Sequence, residues 1–368
     1  MQKYYIITFG CQMNKSDSER IATVLESRGY EPASKINEAD LIVVNMCSVR
    51  QSAVDRVYGL IPKFKKLREK NPELKTILTG CILKEDRQKF AKGFDKILKF
   101  GDLLKYQPKY QDKSVAFVPI SNGCNNACVY CVVPFTRGPL VCRDHQEILK
   151  EVKNAVQKGC KEIWLLGQNV NDYTSRIISE FRANNKRIEK FASYSLPISS
   201  LLARDDTEVN FAKLLKMVND ISGNFKFFFI SPHPKNFSDE LIDTLAKSEK
   251  FGGYVHLPVQ SGDDKILKKM NRNYTVKEYK NLVKKIRKKI PEIRLSTDVI
   301  VGFPGETKKQ FQNTVKLFKE IKFNWAYIAK YSPRPGTAAF KMENNVPLEE
   351  KKRREKILRE ILMKKVEE

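Results

Sequence analysis

The chain has 368 residues, 41% hydrophobic, 30% charged and 10% aromatic, a globular composition that excludes a disordered or fibrous protein and, at roughly 150 residues each, fills two or three domains. Its 68 Lys and Arg against 43 Asp and Glu leave a net charge of +25, which points to a polyanionic partner such as nucleic acid, although lysine-rich helix faces can carry such charge merely solvated. Apolar runs such as Leu41 to Val44 fall far short of the ~18 residues of a membrane span, and Met1 to Gly10 reads as a strand and not a leader, so a cytoplasmic protein with no membrane attachment is expected.

From the N-terminus, three short apolar runs each finish on a cysteine: Tyr4 to Phe9 before Cys11, Leu41 to Val44 before Cys47, and Thr76 to Leu78 before Cys81. Helical stretches, Asp17 to Arg28 and Ala53 to Lys70, separate them, so the pattern predicts an open parallel α/β sheet over residues 1–112. Ligands bind such sheets beyond the carboxyl ends of the strands, where the three cysteines would converge. After a polar connector, Lys105 to Ser114, six strands are predicted at Ala116 to Ile120, Glu162 to Leu166, Lys226 to Ile230, Tyr254 to Leu257, Ile293 to Ile300 and Trp325 to Tyr331. Helices are expected between them at Gln146 to Lys158, Phe211 to Ile221, Asp239 to Ser248, Val276 to Ile290 and Lys308 to Ile321. That alternation predicts a partial (β/α)6 barrel over 113–345 with its chemistry at the strand ends.

The segment 174–208 breaks the rhythm. It is long and polar, with Arg176, Arg182, Lys186, Arg187, Lys190 and Arg204, and reads as a surface insertion, either mobile or in contact with RNA. The last segment, 346–368, places Ile357, Leu358, Ile361 and Leu362 on one helical stripe and should pack as a terminal helix.

A chain of this size in a reducing compartment has no need of disulfides, and its eight cysteines call for metal or catalytic chemistry. Cys124, Cys128 and Cys131 form a C-x3-C-x2-C triplet just after the first barrel strand. Three thiolates on a short loop can hold three irons of a 4Fe-4S cluster and leave the fourth open for reaction. The rival readings are a zinc site, which usually needs a fourth Cys or His nearby, and a chance group of buried thiols.

This loop resembles that of the radical S-adenosylmethionine superfamily. The strings FGCQMN (9–14), NMCSVR (45–50) and TGC (79–81) are similar to the three N-terminal cluster motifs of its methylthiotransferases, and CVVPFTRG, LLGQNVN, SPHP, HLPVQSG, VGFPGET and YSPRPGT extend the likeness along nearly the whole chain. The resemblance implies two 4Fe-4S clusters, one on Cys124, Cys128 and Cys131 that cleaves S-adenosylmethionine to a 5'-deoxyadenosyl radical, and an auxiliary one on Cys11, Cys47 and Cys81 that holds or supplies sulfur. The branch it resembles most adds a methylthio group to C2 of N6-dimethylallyladenosine at position 37 of tRNA, beside the anticodon. Other branches act on threonylcarbamoyladenosine or on a ribosomal protein, and an alternative of another class is a non-catalytic iron-sulfur module that binds RNA. Implied partners are the tRNA anticodon loop and an electron donor of flavodoxin or ferredoxin type. Members usually continue past the terminal helix into a small β-barrel RNA-binding domain, which residues 346–368 do not contain.

Gln168, Asn169, Ser231, Gln260, Ser261 and Asp298 fall near predicted strand ends and are candidate contacts for S-adenosylmethionine or substrate, with a turn-forming role as the alternative at each. In the family the Gly302 to Glu306 loop also helps bind S-adenosylmethionine, and it lacks the Gly-Lys-Ser/Thr ending of a nucleotide P-loop. The three histidines, His145, His233 and His256, have no metal-ligand spacing. His145 should open a helix, His233 be structural and His256 face the barrel interior. Cys160 reads as a buried hydrophobe and Cys142 as a substitution without a ligand role. Basic stretches Lys277 to Lys289 and Lys351 to Arg359 are candidates for phosphate contact, with most of their charge expected on solvated helix faces.

Overall fold

The structure, a computed structural model, describes residues 1–49, 51–176 and 208–364. The first region is a five-stranded parallel sheet in the order β2-β1-β3-β4-β5, built from β1 (Lys3–Thr8), β2 (Glu31–Pro32), β3 (Leu41–Cys47), β4 (Lys75–Cys81) and β5 (Lys96–Ile97) with α1 (Gln12–Glu26), α2 (Gln51–Lys70) and α3 (Lys84–Phe90). Every residue of β3 is buried, as expected of a central parallel strand covered on both faces. The apolar run of β3 was expected to stop before its cysteine. Instead Cys47 and Cys81 are the last residues of β3 and β4 and stand opposite one another, because the ladder continues to Ser48 N–H on Cys81 O at 2.7 Å.

The second region begins with β6 (Val115–Pro119), then β7 (Ser121–Asn122), α4 (Val133–Arg137), β8 (Val141–Cys142), α5 (His145–Gln157), β9 (Glu162–Leu166), β10 (Thr174–Arg176), β11 (Glu208–Asn210), α6 (Phe211–Asn219) and β12 (Lys226–Phe229). It continues through α7 (Asp239–Lys247), β13 (Tyr254–His256), α8 (Asp264–Lys269), α9 (Val276–Lys289), β14 (Arg294–Val301), α10 (Lys308–Ile321) and β15 (Trp325–Lys330) to α11 (Leu348–Lys364). The barrel strands pair in parallel as two trios, β6-β9-β12 and β13-β14-β15. Phe227 N–H on Lys250 O (2.8 Å) and Gly252 N–H on Phe227 O (3.0 Å) join the trios into one arc. This is the expected partial barrel, and its strands and helices fall within a few residues of the predicted ones.

Alternation sorts the strand side chains. Val118, Leu165, Phe229, Val255, Leu295 and Ile328 join one continuous core beneath the helices. The opposite face carries Trp164 stacked on Phe228 (4.6 Å), Tyr254 at its edge, and Tyr327 against His256. Local signals set the helix starts: Asp144 caps α5, Ser238 caps α7, and Thr275 with Glu278 and Thr307 with Gln310 form capping boxes on α9 and α10. Leu358 of α11 is fully buried, with Ile357, Ile361 and Leu362 packed beside it, as the terminal stripe predicts. Thr174–Arg176 and Glu208–Asn210 pair antiparallel at the base of the expected insertion, whose residues 177–207 lie outside the described residues.

The two regions meet through buried charge. Arg20 of α1 pairs with Glu151 of α5 at 2.6 Å, and Arg143 takes the other carboxylate oxygen at 2.9 Å. Ser16 Oγ donates to Phe117 O at 2.9 Å, and Arg334 Nη1 donates to Gln51 Oε1 at 2.8 Å. Beside them Glu19 is buried, and burial pushes its carboxyl up to about 7.

An acid whose pKa is raised by folding loses stability as pH climbs from the ordinary carboxyl range through the raised value, because only the unfolded chain ionises freely there. Glu19→Gln keeps an acceptor for the Gln111 N–H, now at 3.2 Å. Thermal or denaturant unfolding should find it near wild type at pH 5 and more stable by about 2–3 kcal/mol at pH 8; stabilities that run parallel across this range would refute the assignment.

Candidate functional site

Cys11 immediately precedes α1. Its backbone N–H donates to Asn14 Oδ1 at 3.4 Å, and its thiol lies 3.5 Å from the same atom. Asn14 in turn donates to Asn45 Oδ1 (2.9 Å) and Met46 O (3.2 Å), while Asn45 returns a bond to Asn14 O (2.8 Å). Both asparagines are fully buried, so this pair stitches the Cys11 turn to the strand that carries Cys47. Gly80 completes the contact: its φ is +107°, and a Cβ there would lie 2.2 Å from Met46 O, so only glycine lets β4 approach. Cys47 and Cys81 share a thiol hydrogen bond, which lowers the pKa of Cys47 and, with burial, raises that of Cys81.

The second set lies on the loop between β7 and α4. Gly123 (φ +80°) lets the loop turn beneath Pro139, whose carbonyl oxygen would stand 2.0 Å from a Cβ. Backbone N–H groups of Asn126 and Val133 point at Cys124 Sγ (3.4 Å) and Cys131 Sγ (3.5 Å). A turn after α8 clamps the loop from outside: Val129 N–H donates to Met270 O (3.2 Å), Asn271 Nδ2 to Ala127 O (2.8 Å), and Arg272 Nη1 reaches Cys128 Sγ at 3.6 Å. Burial pushes the Cys131 thiol up to about 12 and raises that of Cys124.

These surroundings fit an anionic cluster. The other partners of buried Arg272 are Tyr274 Oη and Pro258 O, and among the described residues no carboxylate pairs with it, so the thiolates of a bound cluster would supply its countercharge. Arg334, within electrostatic reach of Cys47, keeps Nε and Nη2 buried without a partner. Among the described residues no three His, Cys, Asp or Glu side chains close around one point, and a zinc site usually adds a fourth Cys or His at short spacing.

The other predicted residues divide. Gln168 Oε1 accepts from Gly123 N–H at 2.6 Å, so this side chain supports the cysteine loop. Asn169 Nδ2 holds Asp172 at 2.5 Å, while its Oδ1 is buried and unpaired. Ser231 and Gln260 have left-handed backbones, φ 61° and 68°, a strain that gathers at functional sites. Ser261 Oγ accepts from Asp263 N–H at 3.2 Å and is fully buried in the turn. Asp298 stands 3.2 Å from His256 Nε2, and His256 Nδ1 meets Ser296 Oγ at 2.7 Å, a polar chain on the inner face of β13 and β14.

His145 opens α5 as expected, and His233 caps a short turn through Nδ1, its pKa lowered to about 3 by burial. Cys160 is buried in the core and Cys142 is half-buried opposite Ser121. The basic helices spend much of their charge internally: Lys285 pairs with Asp239 and Lys289 with Asp243. Lys351 and Arg354 correct the expectation of solvated or phosphate-facing charge. Both are buried, Lys351 on Tyr331 O (3.2 Å) and Arg354 on Glu306 (2.6 Å), and they brace the Gly302 to Glu306 loop from α11.

Residues 118–318 match the radical SAM superfamily and residues 3–100 match uncharacterized protein family UPF0004. A protein of Clostridium novyi named tRNA-2-methylthio-N(6)-dimethylallyladenosine synthase is 39% identical over 94% of this chain and 78% of its own length. Relatives of the same name from Dictyoglomus thermophilum (38%; 96% and 81% covered) and Caldicellulosiruptor saccharolyticus (39%; 98% and 79%) agree. The chain belongs to this radical SAM methylthiotransferase family. Among solved structures, the radical S-adenosylmethionine methyltransferase TsrM from Kitasatospora setae has the same fold, with a TM-score of 0.61 at 13% identity over 92% of this chain and 77% of that one.

Asn14, Asn45, Arg137, Asn271 and Arg272 escaped the sequence reading. The first three lie inside the quoted motifs, where the cysteines drew the chemistry, and nothing in MNRNY marked the clamp.

Asn45→Ala keeps all six thiols but removes the side-chain bonds that Asn45 makes with Asn14 Nδ2 and Asn14 O, a loss of about 1–3 kcal/mol. Iron analysis of the reconstituted variant should show about four irons per chain, against about eight for wild type; full loading would contradict the role given to the asparagine pair.

Proposed function

We propose that this chain is the tRNA methylthiotransferase that places a methylthio group on C2 of N6-dimethylallyladenosine at position 37. The observation that carries the reading is the 38–39% identity to three relatives of that name over 94–98% of this chain, in a chain that gathers six motif cysteines into two sets. Cys124, Cys128 and Cys131 would hold the radical SAM cluster, and Cys11, Cys47 and Cys81 the auxiliary one. When bound, these groups supply the electron that cleaves S-adenosylmethionine and the sulfur that is transferred, chemistry that no side chain can perform on so inert a C–H bond.

The protein's part is placement. Gln168 and the 270–272 turn hold the cysteine loop in shape, and the Asn14–Asn45 pair does the same for the other set. Asn169, Ser231, Gln260, Ser261 and Asp298 are assigned to S-adenosylmethionine or the adenine, the Asn169 Oδ1 as an acceptor awaiting a donor. A net charge of +25 favours a phosphate-rich partner. Reduction is assigned to a carrier of flavodoxin or ferredoxin type and the setting to the cytoplasm; among the described residues no helix is long and apolar enough to cross a membrane.

Anaerobically reconstituted protein, given dithionite, S-adenosylmethionine and tRNA bearing N6-dimethylallyladenosine, should yield the methylthio nucleoside and 5'-deoxyadenosine by mass spectrometry. Cys11→Ala should abolish the nucleoside and retain 5'-deoxyadenosine. Fully loaded wild type that releases 5'-deoxyadenosine with no change in the tRNA would overturn the substrate assignment.

A further inference from the structure

Arg137 stands between the two cysteine sets. It ends α4, six residues after Cys131, and the start of that helix is already tied to the first set through Val133 N–H on Cys131 Sγ. Its own donors reach three other elements: Nε to Cys81 Sγ at 2.9 Å, Nη2 to Asp17 Oδ2 at 2.8 Å, and Nη1 to Asn122 Oδ1 at 3.0 Å. The side chains of Arg137 and Asp17 are only 12% and 17% exposed. With Cys81 and Asn122 they line a cavity of about 270 Å³ where the two regions meet.

The guanidinium is therefore shared between a fixed carboxylate and a sulfur. N–H donors and positive charge beside a cluster thiolate favour the reduced, more negative form and raise its potential. A carboxylate on the same guanidinium cancels part of that charge. These groups meet at direct hydrogen-bond distance and are largely buried, so both effects are screened less than at the surface.

We propose that Arg137, opposed by Asp17, sets the reduction potential of the cluster held by Cys11, Cys47 and Cys81. It acts as a positioning residue, through Cys81, and touches no reacting atom. The inference rests on the reading that those three cysteines hold a 4Fe-4S cluster. It gives α4 a double task, since one short helix then backs Cys131 at its start and tunes the other cluster at its end.

The two partners of the ion pair separate electrostatics from packing. In an EPR-monitored titration of the holoprotein with dithionite, Arg137→Gln should make the one-electron reduction of the auxiliary cluster about tenfold less favourable, a shift of ~59 mV to lower potential. Asp17→Asn should move it to higher potential, because the guanidinium then serves the sulfur alone. Both substitutions break the same ion pair, so a purely structural role predicts shifts of one sign, and that result, or no shift in either, would overturn the proposal. Should Arg137→Gln fail to load iron, Arg137→Lys keeps the charge without the Nε donor and should shift the potential downward by a smaller amount. Wild-type protein with only one cluster's worth of iron would bring down the ligand assignment, and this inference with it.

Discussion

A guanidinium taken out of water is costly to leave without an anion, and four sets of buried arginine contacts tie the architecture of this protein together. Arg20 and Arg143 share Glu151 across the junction of the two regions. Arg354 of the terminal helix takes Glu306 of the glycine loop. Arg137 divides itself between Asp17 and Cys81. Arg272 reaches only neutral oxygens and Cys128. Removing one partner of such a buried pair typically costs about 3–5 kcal/mol, so each pair fixes a register between elements far apart in sequence. Two of the four lead to cysteines, which is where an iron-sulfur cluster would deliver its negative charge.

Backbone turns and side-chain amides hold the two cysteine sets in shape. Each lies on backbone that few residues can adopt, with Gly80 and Gly123 at positive φ under a carbonyl oxygen, and each is closed by side-chain amides: Asn14 with Asn45, and Gln168 with Asn271. Holding the ligands in place beforehand reduces what must be ordered when a group binds, and second-layer contacts of this kind tune what is bound. A parallel sheet and a partial barrel both present their strand ends on one edge. Packing α1 against β6 through Ser16 and Phe117 lets those edges face each other, and α4 spans the space between.

Much of this was legible in the sequence, and what was missed has a physical pattern. Strand and helix periodicity located all six barrel strands, because one face of each, such as Val255 or Leu295, must be apolar to cover the shared core. Cysteine spacing isolated both sets, since thiols have few other reasons to cluster in such a chain. Polar side chains that act through tertiary contact left no such trace. Gln168 was singled out only as a candidate ligand contact, and its Oε1 also braces the cysteine loop. Lys351 looks like surface charge within a basic run and is buried. Arg137 and Arg272 are ordinary arginines until the fold sets a sulfur beside them. Charge read along a helix overestimates what is free for a partner, because Lys285 and Lys289 find carboxylates on α7 that no local pattern reveals.

The central claim is that one chain holds two clusters facing each other across the α4 spacer, a helix of five residues and so about 7.5 Å of rise. Low-temperature EPR of the doubly reduced holoprotein tests it directly, against spectra of variants that lack one cysteine set or the other. Two clusters so placed should couple magnetically, giving broadened lines and faster relaxation than the sum of the two single-cluster spectra. A wild-type spectrum that equals that sum would contradict the arrangement.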